Sequence, residues 1–285
     1  MGLNIPAVHM LVRLAIAEDL SQGDITSKLS ISNKSRSIAK ILVKEPCIVS
    51  GVELIQIVFK ELNYKAKILI KIKDGEVAKI GDVIATIHGS TRDLLAAERT
   101  ILNFLQRTSG VATFTHNVVK KSHGLAVLDT RKTMPGWRAI DKYSVKVGGG
   151  KNHRFSLGDM ILVKNNHIDA AKSIPILMRH IILNKPKRIK VEVEVRSQEE
   201  LLQVLPFKPD VIMLDNMNDQ QVRPAVAAIR KVSPKTLIEV SGGVTDARFK
   251  SLKQLGVDCV SMGALTTKAP NVDISMRIAP ASSKK

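Results

Sequence analysis

IKVEVEVRSQEELLQVLPFKPDVIMLDN, residues 189–216, decides the fold class. It opens on an alternating run in which Ile and Val exchange with Lys and Glu (Ile189–Val195), and it closes on a second apolar run (Val211–Leu214). Between them Gln198–Leu205 carries leucines and a valine at helical spacing. Apolar strands joined by a helix argue a parallel sheet buried on both faces, because crossover helices cover the sheet and leave the strands no wet side. The same grammar extends both ways along the chain. Further strands are expected at Leu125–Leu128, Met160–Val163, Leu237–Val240 and Cys259–Met262. Amphipathic stretches are read at Ala112–Lys121, Ile168–Ile182, Gln220–Val232 and Asp246–Leu255. A helix on every crossover and no Gly-rich dinucleotide fingerprint favour a barrel over a Rossmann sheet. Only six strands are clear, so the barrel is expected to be incomplete.

Upstream the pattern changes. Short β-branched runs at Ile38–Val43, Cys47–Val49, Ala66–Ile72 and Val83–Ile87 are punctuated by Gly and Asp at turn positions. With a helix at Ile55–Leu62, they predict a small domain with a mostly antiparallel sheet. Before it lie a helix around Val8–Asp19 and a group of turn and cap residues, Asp19, Ser21, Asp24, Thr26 and Ser27. After it Ser90–Arg107 reads as a helix, and a boundary is expected at Arg107–Gly110. Arg99 lies at the edge of that helix's apolar stripe, where an arginine can simply extend its charge to solvent.

The totals narrow the function classes. With 285 residues, 44% hydrophobic and 25% charged, the chain has an ordinary globular composition. No apolar run reaches the roughly 18 residues that span a membrane. The N-terminus lacks a signal-peptide layout, and Pro6 stands where a myristoylation motif wants Ser or Thr. Cys47 and Cys259 match no metal or redox spacing, which suits a reducing cytoplasm. The net charge of +18 invites a nucleic-acid reading. Aromatics at 3%, a dispersed distribution of lysines and no recognisable binding motif argue against it, so neither nucleic acid nor membrane is expected as a partner.

The chemistry concentrates between Asp129 and His167. This stretch carries Arg131, Lys132, Arg138, Lys142, Lys146, Lys151, His153 and Arg154 in a Gly-punctuated connection, and its closing strand runs into Lys164. Long connections without structure of their own are uncommon and usually functional, and crowded cations ask for an anionic ligand. The other strand ends supply Glu194, then Asp215 and Asn216, then Ser241-Gly242-Gly243, then Gly263. In a barrel these positions converge on the face that holds active sites. Arg131, Lys132, Arg154 and Lys164 can grip carboxylates or phosphates, and His153 could add a donor. The glycine turns after the last two strands suit a phosphate. Glu194 and Asp215 suit ribose hydroxyls and a hard cation, or are ion-pair partners of the cations around them. Together these groups ask for a phosphorylated sugar and a polycarboxylate.

The motifs EDLSQGDITS, AERTILNFLQRTSGVAT, DTRKTMPGWRAIDKYSVKVGGGKNHRFSLGD, VEVEV, MLDNM, EVSGGV and MGALT occur in an order that resembles the quinolinate phosphoribosyltransferase family and cover nearly the whole chain. The resemblance implies a small N-terminal α/β sandwich over residues 1–108, an open, incomplete α/β barrel over 109–272, and a tail, 273–285, packing back on the N-terminal domain. It implies phosphoribosyl transfer from phosphoribosyl diphosphate (PRPP) to quinolinate with decarboxylation, aided by Mg²⁺. Carried over by motif, Arg131, Arg154 and Lys164 resemble the quinolinate-binding cations, with Thr130 and His153 beside them. Lys132 resembles the residue shared between quinolinate and the diphosphate. Arg99 resembles one lent across a homodimer interface into the neighbouring site. Glu194 and Asp215 resemble the pair that holds ribose and metal, and Ser241, Gly242, Gly243 and Gly263 resemble the 5′-phosphate site. The chain departs from the family at Asn165, where an acidic residue usually follows the strand-end lysine.

Three other readings stay open at this point. A lyase could use Lys132 or Lys164 as a Schiff-base nucleophile. A paralogous phosphoribosyltransferase or pyrophosphorylase could take a different acceptor. A basic binding protein would need neither Glu194 nor Asp215.

Overall fold

The structure, a computed structural model, describes residues 2–281. Its first half runs α1 (Pro6–Leu20), α2 (Ile25–Ser30), β1 (Arg36–Val43), β2 (Cys47–Ile48), α3 (Glu53–Glu61), β3 (Ala66–Ile70), β4 (Val77–Ala78), β5 (Val83–Ser90) and α4 (Thr91–Lys120). There follow β6 (Ala126–Leu128), α5 (Arg138–Val147), β7 (Ile161–Val163), α6 (Asn165–Ala171), α7 (Ile174–Asn184), β8 (Val191–Val195) and α8 (Gln198–Val204). The chain continues through β9 (Val211–Asp215), α9 (Asp219–Val232), β10 (Leu237–Ser241), α10 (Phe249–Leu255), β11 (Cys259–Ser261), α11 (Ala264–Thr267) and β12 (Ile274–Pro280).

Two compact units emerge, and they interleave along the chain. The first comprises the chain up to His116, Thr133–Gly149, and the stretch from Ala264 onward. The second comprises Asn117–Lys132 and Gly150–Gly263. This differs from a linear division at residues 108 and 272, for two reasons. β12 pairs antiparallel with β1 over seven residue pairs, which ties the end of the chain into the first unit's sheet. Helix α5 is held in that unit by polar anchors. Tyr143 Oη donates to Asp74 Oδ2 at 2.6 Å, and Arg107 Nη2 donates to Asp141 Oδ1 at 3.2 Å.

The first unit is built on an antiparallel sheet of order β12-β1-β5-β3. β1 alternates, with Ser37, Ala39, Ile41 and Val43 buried and the intervening side chains partly or fully exposed, as expected of a sheet with one covered face. Residues 282–285 of the expected tail lie outside the described residues. Helix α4 runs without a break through both segments read as separate helices, Ser90–Arg107 and Ala112–Lys121. Gly110 is there for close approach, because a Cβ would lie 2.0 Å from the carbonyl oxygen of Pro270. The neighbouring Thr108 hydroxyl bonds back to Phe104 O at 2.9 Å and reaches Ser50 O, so its polar group is satisfied inside the helix.

The second unit carries a six-stranded sheet of order β6-β11-β10-β9-β8-β7, parallel at every pairing. Every residue of β8, and all but the last of β9, is buried, as strands covered on both faces must be. The sheet is open, with β6 and β7 as its end strands, and matches the incomplete α/β barrel expected. A single parallel bridge, Leu128 to Lys151, lengthens the outer edge of β6. Two expectations need correction. The stretch Ile168–Ile182 is two helices: Lys172 takes φ +58, and Ser173 caps α7 ahead of Pro175. The connection from Asp129 to His167 is also not structureless, since it contains α5.

Candidate active site

The carboxyl ends of the parallel strands open into a cavity of about 660 Å³ in the second unit. After β6 the chain presents Thr130, Arg131 and Lys132; after β7, Lys164 and Asn165. Glu194 comes from β8, Asp215 and Asn216 from the end of β9, and Ser241, Gly242 and Gly243 from the end of β10. His153 and Arg154 complete the basic side, and Met213 and Ser261 also line the cavity. Of the thirteen residues that the resemblance carries to the site, two do not line it, Arg99 and Gly263.

Gly263 still serves the cavity. A Cβ there would stand 2.9 Å from Lys132 Cδ and 3.5 Å from Thr130 Oγ1, so the missing side chain makes room for both. Arg99 lies in the first unit, on α4, at a cavity of about 230 Å³ that it shares with Leu14, Phe104 and Trp137. Arg138, Lys142 and Lys146, counted in the sequence with the basic connection, belong to α5 in the first unit and do not line the large cavity.

Backbone geometry shapes the two turns. Thr130 Oγ1 accepts from the Lys132 N–H at 3.0 Å and so folds the Arg131 segment into a tight turn at the end of β6. After β10, Gly242 and Gly243 both take positive φ, +81° and +60°. Their roles differ. A Cβ at Gly242 would collide with the Asn216 side chain at 2.2 Å, whereas one at Gly243 would meet nothing within 4 Å. Gly242 therefore admits Asn216, whose own φ is +55° and whose Nδ2 donates to Asp215 Oδ2 at 2.8 Å. The sequence reading gave both glycines to a phosphate; in the structure Gly242 also makes room for the Asn216 side chain, and the Cβ position of Gly243 faces open space.

The charges are arranged as opposed groups. Lys164 Nζ lies 3.5 Å from Glu194 Oε2, so a carboxylate from β8 faces the strand-end lysine. Asn165 is turned to local work, its Oδ1 accepting from the Asn166 N–H at 3.0 Å. Burial, and after it the neighbouring Arg131 charge, hold the Arg154 guanidinium below the usual arginine range. One Arg154 donor is used on Met160 O at 3.1 Å. The Nε of Arg131 is buried and makes no hydrogen bond among the described residues. Two arginines side by side, one with a donor to spare, favour an anion between them.

A buried layer supports this rim. In β8 the side chains alternate, so Glu192 lies on the same face as Glu194, one step deeper. Glu239 of β10 stands likewise one step below Ser241. His153 Nε2 lies 3.1 Å from Glu192 Oε2 and 3.8 Å from Glu239 Oε1. Burial, then the Glu192 charge, push the Glu239 carboxyl up to about 7. Glu192, Glu239, Met213 and Ser261 were not singled out in the sequence; Asn216 was, as a strand-end residue, without a role. The alternation of VEVEV was the available signal for Glu192, since a parallel strand with polar residues on one face must point them at something.

Comparison with known proteins identifies the family and the fold. Residues 24–109 match the family model "Quinolinate phosphoribosyl transferase, N-terminal domain", and residues 111–277 match its C-terminal domain. The chain is 36% identical over 285 residues to quinolinate phosphoribosyltransferase [decarboxylating] 2b, mitochondrial, of Nicotiana tabacum, covering 94% of this chain and 81% of that protein. It is 37% identical over 264 residues to the probable nicotinate-nucleotide pyrophosphorylase [carboxylating] of Bacillus subtilis, covering 92% and 90%. The crystal structure of NadC from Streptococcus pyogenes superposes with a TM-score of 0.92 at 33% identity, covering 99% of this chain and all of that one.

Proposed function

The chain belongs to the quinolinate phosphoribosyltransferase family, and we propose that the cation-lined cavity at the strand ends is its active site. The reaction is transfer of the phosphoribosyl group from PRPP to quinolinate with decarboxylation, which yields nicotinate mononucleotide, diphosphate and CO₂ for NAD biosynthesis. One observation carries the assignment of the site. Arg131, Lys132, Arg154 and Lys164 line the same cavity as the acidic pair Glu194 and Asp215 and the open turn at Gly243.

In this reading Arg131, Arg154 and Lys164 hold the two carboxylates of quinolinate, aided by Thr130 and His153. Their charges set the pyridine nitrogen against the ribose carbon, and positioning of that kind supplies a large part of the rate. Lys132 faces the diphosphate and stabilises its charge as it leaves an oxocarbenium-like ribose. Glu194 and Asp215 take the ribose hydroxyls, while Ser241, Gly242, Gly243 and Gly263 form the 5′-phosphate end. Once the pyridinium has formed, its positive charge stabilises the electron pair left on the adjacent ring carbon as the carboxylate departs as CO₂; a proton from solvent then takes that position, and no protein nucleophile is needed.

Glu194 and Asp215 also fit Mg²⁺. They offer hard carboxylate oxygens, and among the described residues no further His, Cys, Asp or Glu completes a set of three ligands with them. Mg²⁺ commonly binds through one or two carboxylates and takes its other ligands from water and substrate phosphates. When bound it would supply positive charge to offset the charge that builds up on the diphosphate. A homodimer in which Arg99 serves the neighbouring subunit's site belongs to the same proposal, supported by the exposed Met10 and Leu14 of α1 on the unit that carries Arg99. So does a cytoplasmic location, which suits two buried free cysteines, Cys47 and Cys259. No helix among the described residues is long and apolar enough to cross a membrane.

The test is a product assay with purified protein, PRPP, Mg²⁺ and either quinolinate or nicotinate. Nicotinate mononucleotide and CO₂ from quinolinate alone are expected. Product from nicotinate, or none from quinolinate at varied Mg²⁺ and pH, would overturn the acceptor assignment.

A further inference from the structure

Strands β9 and β10 end level with each other, with Asp215 beside Ser241 in the parallel register. The residue that leaves β9, Asn216, ties the two ends together. Its backbone N–H donates to Ser241 O at 2.9 Å, and its side-chain Nδ2 donates to Asp215 Oδ2 at 2.8 Å. Its Oδ1 lies over Gly242, where a Cβ would collide with it and with the Asn216 Cγ. The amide is thus wedged between a carboxylate on one side and a glycine turn on the other. An ionised carboxylate only accepts, so the NH₂ end of the amide must be the one that faces Asp215. Asn216 takes φ +55°, a left-handed conformation that asparagine adopts at less cost than most side chains.

We propose that Asn216 is a positioning residue for PRPP: it fixes the Asp215 carboxylate and holds it in register with the turn at 241–243, so that ribose and 5′-phosphate are gripped at one spacing. The proposal rests on the assignment of Asp215 to the ribose and of that turn to the phosphate. The two cavity carboxylates are held by different means. Glu194 Oε2 has Lys164 Nζ 3.5 Å away. Asp215 makes no ion pair among the described residues, and the bond from Asn216 is its carboxylate's only hydrogen bond there. The last torsion of an aspartate is soft, so a strand-end carboxylate with no cation beside it turns easily. With Oδ2 tied to Nδ2 that rotation stops, and Oδ1 is left for a ribose hydroxyl.

The backbone at Asn216 is held independently of its side chain. Met217 is buried, and its carbonyl accepts from Arg248 Nη2 at 2.8 Å. Asn218 caps α9 by accepting the Gln221 N–H at 3.0 Å. With the bond to Ser241 O, these fix the chain on both sides of Asn216, which is itself exposed. The amide is therefore not needed to fill the core or to start α9; what it touches is Asp215 and Gly242. Glycine at 216 removes the amide and still accepts a positive φ, so Asn216→Gly separates orientation from folding. Aspartate at 216 keeps the shape and the tolerance of that φ, but it sets a second carboxylate against Asp215 and turns attraction into repulsion. It brings no added backbone freedom, so it reads the same contact independently.

Steady-state kinetics and calorimetric binding of PRPP, both at saturating Mg²⁺, test this with the wild type, Asn216→Gly, Asn216→Asp and Asp215→Ala. Asn216→Gly should raise the KM and the Kd for PRPP about five- to twenty-fold, with the KM for quinolinate moving less than about two-fold. Asn216→Asp should be worse than Asn216→Gly on both PRPP measures. Added to Asp215→Ala, Asn216→Gly should change the Kd for PRPP by less than about two-fold, since a residue that acts through Asp215 then has nothing to position. The proposal falls if Asn216→Gly leaves both PRPP measures unchanged, or raises the two KM values equally. It also falls if Asn216→Asp binds PRPP as the wild type does, or if the losses in the double variant simply add. Asp215→Ala with an unchanged Kd for PRPP would instead sink the reading of the cavity.

Discussion

Arg154 and Glu194 face the same cavity with opposite charge, and their substitutions should separate the two substrates. A charge-assisted hydrogen bond to a buried partner contributes about 1.5–3 kcal/mol. Arg154→Ala, and Arg131→Ala beside it, should therefore raise the KM for quinolinate about 10- to 100-fold and the KM for PRPP far less. Glu194→Gln should show the reverse bias, towards PRPP and Mg²⁺. Initial-rate measurements with each substrate varied decide it: equal effects on both KM values would sink the division of roles. At this scale most of the rim was legible in the sequence, because residues at the carboxyl ends of parallel strands must share one face. The layer below was not. Glu192 and Glu239 lie within strands, and reading only strand ends passes over them. Arg99 was assigned to a neighbouring site by the resemblance alone, and in the structure it does not line this cavity.

Gly110 sits at the middle of α4, and its substitution pits two effects of opposite sign. Alanine is better than glycine in a helix interior by about 1 kcal/mol. Against this, the added Cβ would meet the Pro270 carbonyl oxygen at 2.0 Å, and overpacking against backbone costs about 1–3 kcal/mol. The steric term should win, so Gly110→Ala is expected to lower stability by up to about 2 kcal/mol in urea unfolding. A stabilised variant would show that the segment at Pro270 yields freely. The same glycine explains why the sequence suggested a break: Thr-Ser-Gly looks like punctuation until something packs against it. The opposite error befell α5. Its buried polar residues, Asp141, Lys142 and Ser144, hid its apolar face, Ile140 and Val145, within a run of cations. The break between α6 and α7 at Ser173 and Pro175 was visible in principle, as an N-cap followed by a proline in the first turn.

Across the whole molecule, charge and assembly meet at Arg99. It lies on α4 beside Leu11, Leu14 and Trp137, and the cavity that it helps to line is separate from the one proposed for catalysis. If each subunit lends Arg99 to its neighbour, defects in Arg99 and in Lys132 occupy different sites of a mixed dimer. Arg99→Ala and Lys132→Ala homodimers should each lose most activity. Mixed and reassorted in equal amounts, half of the dimers become heterodimers. In each heterodimer one site collects both defects while the other is intact, so about a quarter of wild-type activity should return. If Arg99 acted within its own subunit, every site in the mixture would keep one defect and no activity would return. The net charge of +18 does not alter this expectation, but it sets a condition on the experiment. Like-charged subunits repel most when little salt screens them, so dissociation, and with it reassortment, should be faster at low ionic strength.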